Sequence, residues 1–171
     1  HLREHLRNNQ TVAGELCNLG KAVESALSLM RAQMVARGIG LELTVDPEIK
    51  LVVGTSIRFE ELVMNLVANA MQALETCDYC PKTISIRVVP QGSDSVELSV
   101  ADNGPGFDPK LADELFEPFF STKSPGSSMG LGLSIVRTIV QSAGGSVVAE
   151  NRPEGGALLR VILPAAESGG A

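Results

Sequence analysis

The chain has 171 residues and a mass of 18.0 kDa, the size of one domain with a single sizeable core. Its 44% apolar and 20% charged residues are ordinary for a globular protein, and without Trp and with one Tyr the core has to be aliphatic. A net charge of -6 argues against nucleic acid as a ligand, no apolar run reaches membrane-helix length, and three cysteines read as reduced cytoplasmic thiols rather than a disulfide framework.

His1–Thr11 is polar and basic without a core pattern, and residues 1–14 read as the remnant of a preceding region or linker. Val23, Ala26, Leu27, Met30 and Met34 recur at helical spacing and predict a helix over Val23–Arg37, stopped at Gly38. Leu41–Val45 alternates as a strand ending at Asp46-Pro47, and Leu51–Val53 is a short extended piece. Thr55 or Ser56 caps the next helix by accepting from its free backbone amides. That helix runs to about Thr76 on a stripe of Phe59, Leu62, Val63, Leu66, Val67, Ala70 and Leu74. After a Cys-Asp-Tyr-Cys-Pro loop, Ile84–Val89 and Val96–Val100 predict two strands joined through Gly92.

Residues 102–129 are rich in proline and glycine, with a serine-rich tip at Ser124–Ser128. A connection of that length reads as a lid or a disordered segment. A helix over Gly130–Ala143 ends at Gly144-Gly145, where glycine takes the left-handed closing conformation. Ser146–Glu150 and Ala157–Leu163 are strands around a Gly155-Gly156 turn, and residues 165–171 form a small-residue tail. The order of elements predicts an α+β two-layer sandwich.

Three features carry chemistry. Asn65 and Asn69, four apart, share one helix face with Gln72 nearby. Amide oxygens are hard neutral ligands suited to magnesium, although a solvated polar face accounts for the pair in isolation. Asp102 ends a strand before Asn103-Gly104-Pro105-Gly106. Its carboxylate can accept from an exocyclic amine, and the glycines allow close backbone approach; alone, the same residues make an Asx turn. Gly130-Leu131-Gly132-Leu133 opens a helix whose unpaired first amides and dipole favour an anion, against a bland reading of close helix–sheet packing.

Phe116, Phe119 and Phe120 lie within the lid-like segment. Phe116 reads as a core anchor, and Phe119 and Phe120 as anchors or as contacts to a partner domain. Lys123 is either a mobile cation for phosphate or solvated. Cys77 and Cys80 form a single CxxC without the further ligands zinc needs, and read as loop cysteines without a role.

Together these motifs resemble the GHKL ATPases, the family of gyrase, Hsp90, MutL and histidine kinases. Asn65-Leu-Val-Ala-Asn69 is similar to the asparagine box, Asp102-Asn-Gly-Pro-Gly106 to the first glycine box, Gly130-Leu-Gly132 to the second and Gly155-Gly156 to the last. Leu115-Phe-Glu-Pro-Phe-Phe-Ser-Thr-Lys123 resembles a segment of sensor histidine kinases of the nitrogen-regulation and dicarboxylate-sensing type. The resemblance implies helices on one face of a mixed sheet, a mobile ATP lid and a catalytic ATP-binding domain over residues 15–164. It implies ATP and magnesium as cofactors, with magnesium on Asn69, phosphates supported by Asn65, and Gln72 at a phosphate-contact position. Asp102 would receive the adenine amine, with Gly104 and Gly106 beside the ring, and the helix opening at Gly130, Leu131, Gly132 and Leu133 would hold phosphates under a lid carrying Lys123.

Family hydrolases and serine kinases resemble each other in placing a glutamate where this chain has Asn65. An amide cannot serve as a general base, which favours a histidine kinase whose nucleophile lies on another domain. The family's acceptor-histidine pattern is absent, and His1 and His5 lack its following proline. Gln72 stands where many members carry a basic residue, Ala157 where a threonine is common, and Ser127-Ser128-Met129 replaces a glycine-threonine lead-in. The resemblance thus implies partners in a histidine-bearing dimerisation domain of the same parent and, indirectly, a response regulator. It implies that this fragment works in the cytoplasm without membrane contact, with an inner-membrane sensor as one form the parent could take. The rival readings are a stand-alone ATPase or serine/threonine kinase, and a nucleotide-free docking module.

Overall fold

A computed structural model of the chain describes residues 14–78, 81–120 and 132–167. Expectations for residues 1–13, Cys80, Lys123, the serine-rich tip, Gly130 and Leu131 lie outside them. Helix α1, Leu19–Ala36, begins a turn earlier than its apolar stripe suggested, because the Asn18 side chain caps it by accepting from the Lys21 amide at 3.2 Å. It closes at Gly38, whose φ is 69°, and the chain enters strand β2, Ile39–Val45, directly. Helix α2, Ser56–Leu74, starts where Thr55 Oγ1 accepts from the Arg58 amide at 3.2 Å, as the cap rule predicts.

A two-residue strand, β1 at Leu16–Cys17, was not anticipated. It pairs antiparallel with β3, Val52–Val53. Strands β4, Lys82–Gln91, and β5, Ser95–Asp102, form a hairpin longer at both ends than expected. Short 3-10 turns at Pro109–Leu111 and Glu114–Phe116 interrupt the following loop. Helix α3, Gly132–Ser142, precedes strands β6, Ser146–Asn151, and β7, Ala157–Pro164. The expected free tail does not begin at 165, since the amides of Ala165 and Ala166 donate to the carbonyls of Asp94 and Leu51.

The main sheet has the order β2-β4-β5-β7-β6, with β2 and β4 parallel and the other neighbours antiparallel. It is therefore mixed, as the resemblance implied. Alternate residues Ile84, Ile86 and Val88 of β4, Val96, Leu98 and Val100 of β5, and Val161 and Leu163 of β7 are buried. They meet α2 through Phe59, Leu62, Val63, Leu66 and Val67, and α2 also packs against α1 and α3. Each fully buried leucine of this kind contributes about 1.5–3 kcal/mol. The other face is polar, where Arg160 pairs with Glu97 and Glu150, each at 3.0 Å. The helices therefore lie on one face only, and the C-terminal half of α2 reaches the end of β5. Phe116 is buried in the core as its anchor reading predicted, whereas Phe119 is exposed with φ 65°. Cys77 lies in the loop after α2, as expected, and its side chain is buried.

Candidate functional site

Strand β5 delivers Asp102 to the end of the sheet beneath α2. The residue is only 3% exposed, which is costly for a carboxylate unless it is hydrogen-bonded. Its Oδ1 accepts from the backbone amides of Gly104 at 2.9 Å and Ala157 at 3.3 Å. The Asx turn considered as a bland alternative is therefore formed, and it fixes one oxygen of the carboxylate. Oδ2 has no partner among the described residues. Burial raises the pKa of Asp102 above the ordinary aspartate value, against the opposing effects of the two amides and the Arg152 cation.

Asp102 lines a cavity of about 500 Å³, within the range of small-molecule sites, roughly 300–1,000 Å³. Asn69, Gln72, Ala73, Glu75 and Thr76 of α2 and its C-terminal turn form one wall. Pro105, Gly106 and Phe107 form another, and Leu115, Leu133, Ala157 and Leu159 complete the lining. The cavity is thus walled largely by apolar side chains, with the Asp102 carboxylate, whose Oδ2 has no partner among the described residues, and the amide side chains of Asn69 and Gln72 facing it.

The expected site residues divide into three groups. Asp102, Gly106, Asn69, Gln72 and Leu133 line this one cavity. Gly104 lies behind it, where a Cβ would sit 3.1 Å from the Ala73 carbonyl, so glycine lets the loop pack on α2. Asn65 lies at the mouth of α3, its Oδ1 3.4 Å from where a Gly132 Cβ would be, while its amide nitrogen donates to the Glu61 carbonyl at 2.8 Å. Lys123, Gly130 and Leu131 lie outside the described residues.

The described residues contain no cluster of His, Cys, Asp or Glu that would hold a metal ion. Half-buried Asn69 on the cavity wall, with Asn65 one turn away, offers neutral oxygens only. Such donors fit magnesium that takes most of its ligands from phosphate and water, and do not fit a structural zinc site.

The sequence reading overlooked Phe107, Leu115 and Leu159 as apolar walls. It also overlooked Asn151 and Arg152, which bond to the loop that follows β5. Their only local signal was position beside the Gly155-Gly156 turn. No helix among the described residues is long and apolar enough to cross a membrane.

Residues 54–167 match the family described as histidine kinase-, DNA gyrase B- and HSP90-like ATPases. The sensor protein FixL of Bradyrhizobium diazoefficiens is 34% identical over 88% of this chain and 29% of its own length. The two-component sensor PprA of Pseudomonas aeruginosa is 38% identical over 87% of this chain and 17% of its own. The chain thus spans less than a third of either relative. Among solved structures, the catalytic domain of histidine kinase ThkA superposes with a TM-score of 0.75 at 29% identity, covering 88% of this chain and 97% of that one. ThkA in complex with the response regulator protein TrrA gives 0.73 at 26% identity, covering 96% and 47%.

Proposed function

This chain belongs to the family of histidine kinase-, DNA gyrase B- and HSP90-like ATPases, and we propose that it is the domain of a sensor histidine kinase that binds Mg-ATP and presents the γ-phosphoryl group to a histidine on a separate dimerisation domain. The observation that carries the reading is Asp102, a nearly buried carboxylate whose Oδ2 has no partner among the described residues, lining a cavity whose wall bears Asn69. In this reading residues 15–164 form the catalytic domain, and residues 1–14 lead in from the dimerisation region.

Each residue contributes by placement. Asp102 accepts the adenine amine, and Gly106, Phe107 and Leu159 enclose the ring in an apolar slot. Asn69 would supply an oxygen ligand to magnesium, whose chemistry there would be to neutralise phosphate charge. Asn65, at the mouth of α3, supports the triphosphate but cannot take a proton from water. Lys123 and the amides of Gly130, Leu131, Gly132 and Leu133 complete the phosphate end, and Gln72 contacts the polar extension. Transfer then depends on positioning and charge neutralisation, with the nucleophile brought by the partner domain. The response regulator is the downstream acceptor, by analogy with the complex of ThkA and TrrA. Such a domain works in the cytoplasm, where ATP is available.

The test is incubation with γ-labelled ATP, alone and with a separately expressed acceptor-histidine domain of the parent kinase. Acid-labile label on the added domain only is expected. Steady phosphate release by the chain alone, abolished by Asn65→Ala, would instead identify a stand-alone ATPase.

A further inference from the structure

The turn between β6 and β7 bonds to the last residue of β5 and to the first part of the loop that follows it. We propose that Asn151 and Arg152 are positioning residues that hold the nucleobase end of the cavity in shape, and so set its preference for adenine. The proposal rests on the nucleotide reading above and adds two residues that none of its motifs contains.

Asn151 is an exposed side chain that bonds twice to one residue. Its Oδ1 accepts from the Phe107 amide at 3.0 Å and its Nδ2 donates to the Phe107 carbonyl at 2.7 Å. A planar amide paired with both backbone groups of a residue fixes that residue's position and orientation. Phe107 lines the cavity. Arg152 acts at the end of β5, where Nη1 donates to the Asp102 carbonyl at 2.9 Å. Its Nε and Nη2 donate to Glu154 Oε1 at 3.1 and 2.8 Å, which holds the guanidinium in place.

The turn is itself fixed. The Arg152 amide donates to the Gly156 carbonyl at 2.8 Å and the Gly155 amide to the Arg152 carbonyl at 3.1 Å, with Pro153 presetting φ at the turn's second position. Ala157, the first residue after it, donates to Asp102 Oδ1. One hairpin turn therefore reaches the carboxylate, its backbone carbonyl and the loop wall five residues on. Without these bonds the loop keeps its Asx turn, its packing on α2 and the bonds of Asn103 to the Thr83 amide and Pro81 carbonyl at its start, none of which reaches Phe107, and Asp102 Oδ2 and the Phe107 wall lose their fixed separation.

The test is equilibrium titration of the whole chain, with magnesium, using ATP and inosine triphosphate. Inosine triphosphate replaces the exocyclic amine with a carbonyl that faces a carboxylate unfavourably. Wild type should prefer ATP. Asn151→Ala and Arg152→Ala should each weaken ATP binding about three- to tenfold, leave inosine triphosphate within about twofold, and unfold at nearly the wild-type temperature. Arg152→Lys, which keeps the cation and one donor, should recover most of the ATP preference. Unchanged ATP affinity, or equal losses for both nucleotides, would overturn the positioning role. A wild type that binds ATP without preferring it would likewise overturn the proposal, whereas one that binds neither nucleotide would overturn the nucleotide reading itself.

Discussion

The backbone amide of Ala157 donates to Oδ1 of Asp102 across the seam between β7 and β5, at 3.3 Å. The family's usual threonine hydroxyl is missing at this position, yet the main chain still reaches the carboxylate. Oδ1 is thereby committed to the protein, and Oδ2, without a partner among the described residues, is the oxygen that the proposed function assigns to the ligand.

Asp102→Asn keeps an oxygen for the Gly104 and Ala157 amides and removes the charge. It should fold normally and bind ATP at least about tenfold more weakly, the order expected for losing a hydrogen bond to a charged acceptor. Calorimetric titration measures the loss; wild-type affinity in the variant would exclude Asp102 from base recognition.

The same carboxylate makes stability and binding run oppositely with pH. Burial, outweighing the two amides and Arg152, raises its folded pKa above the unfolded value, which is about 4. Its contribution to stability is therefore present in full below that value and lost as pH rises through the raised folded pKa. The nucleotide-free Asp102→Asn variant should gain stability relative to wild type as pH rises from about 4 through the raised folded pKa. Over the same range, ATP affinity of the wild type should rise as the acceptor ionises. Denaturant midpoints and titrations at several pH values check both slopes.

Gly156 has φ 93°, and a Cβ there would collide with the Asp102 carbonyl. Gly155 has φ 106° with open space around it. Gly156→Ala should cost about 2–4 kcal/mol from backbone strain and overlap, and Gly155→Ala only about 1 kcal/mol from strain. Urea unfolding of both variants separates the two effects, and equal losses would contradict the close approach.

Much of this architecture was legible in local pattern. The α2 stripe from Phe59 to Leu74, the Thr55 cap and the alternation of β4, β5 and β7 are set by neighbours in sequence, and each was found. The strand at Leu16–Cys17 was not, because two residues carry no periodicity and their partner, Val52–Val53, is remote. The start of α1 was missed because Asn18 precedes a first turn containing Gly20, a poor helix former. At the candidate site, Asp102, Asn69 and the glycines announced themselves as motifs. Asn151 and Arg152 did not, since their reach to Phe107 and Asp102 exists only once β7 lies between β5 and β6. The 3-10 turns that bring Leu115 to the cavity depend likewise on Phe116 finding the core.

The most direct test of the account is one titration series, ATP into the wild-type chain and Asn69→Ala, with magnesium and with excess chelator. Asn69 lines the cavity on a helix anchored by the core, so its truncation should leave the fold intact. Saturable ATP binding that weakens about tenfold or more when magnesium is removed, with that magnesium dependence largely lost in Asn69→Ala, is the predicted result. Wild type that fails to bind ATP, or binds it equally with and without magnesium, would contradict the account.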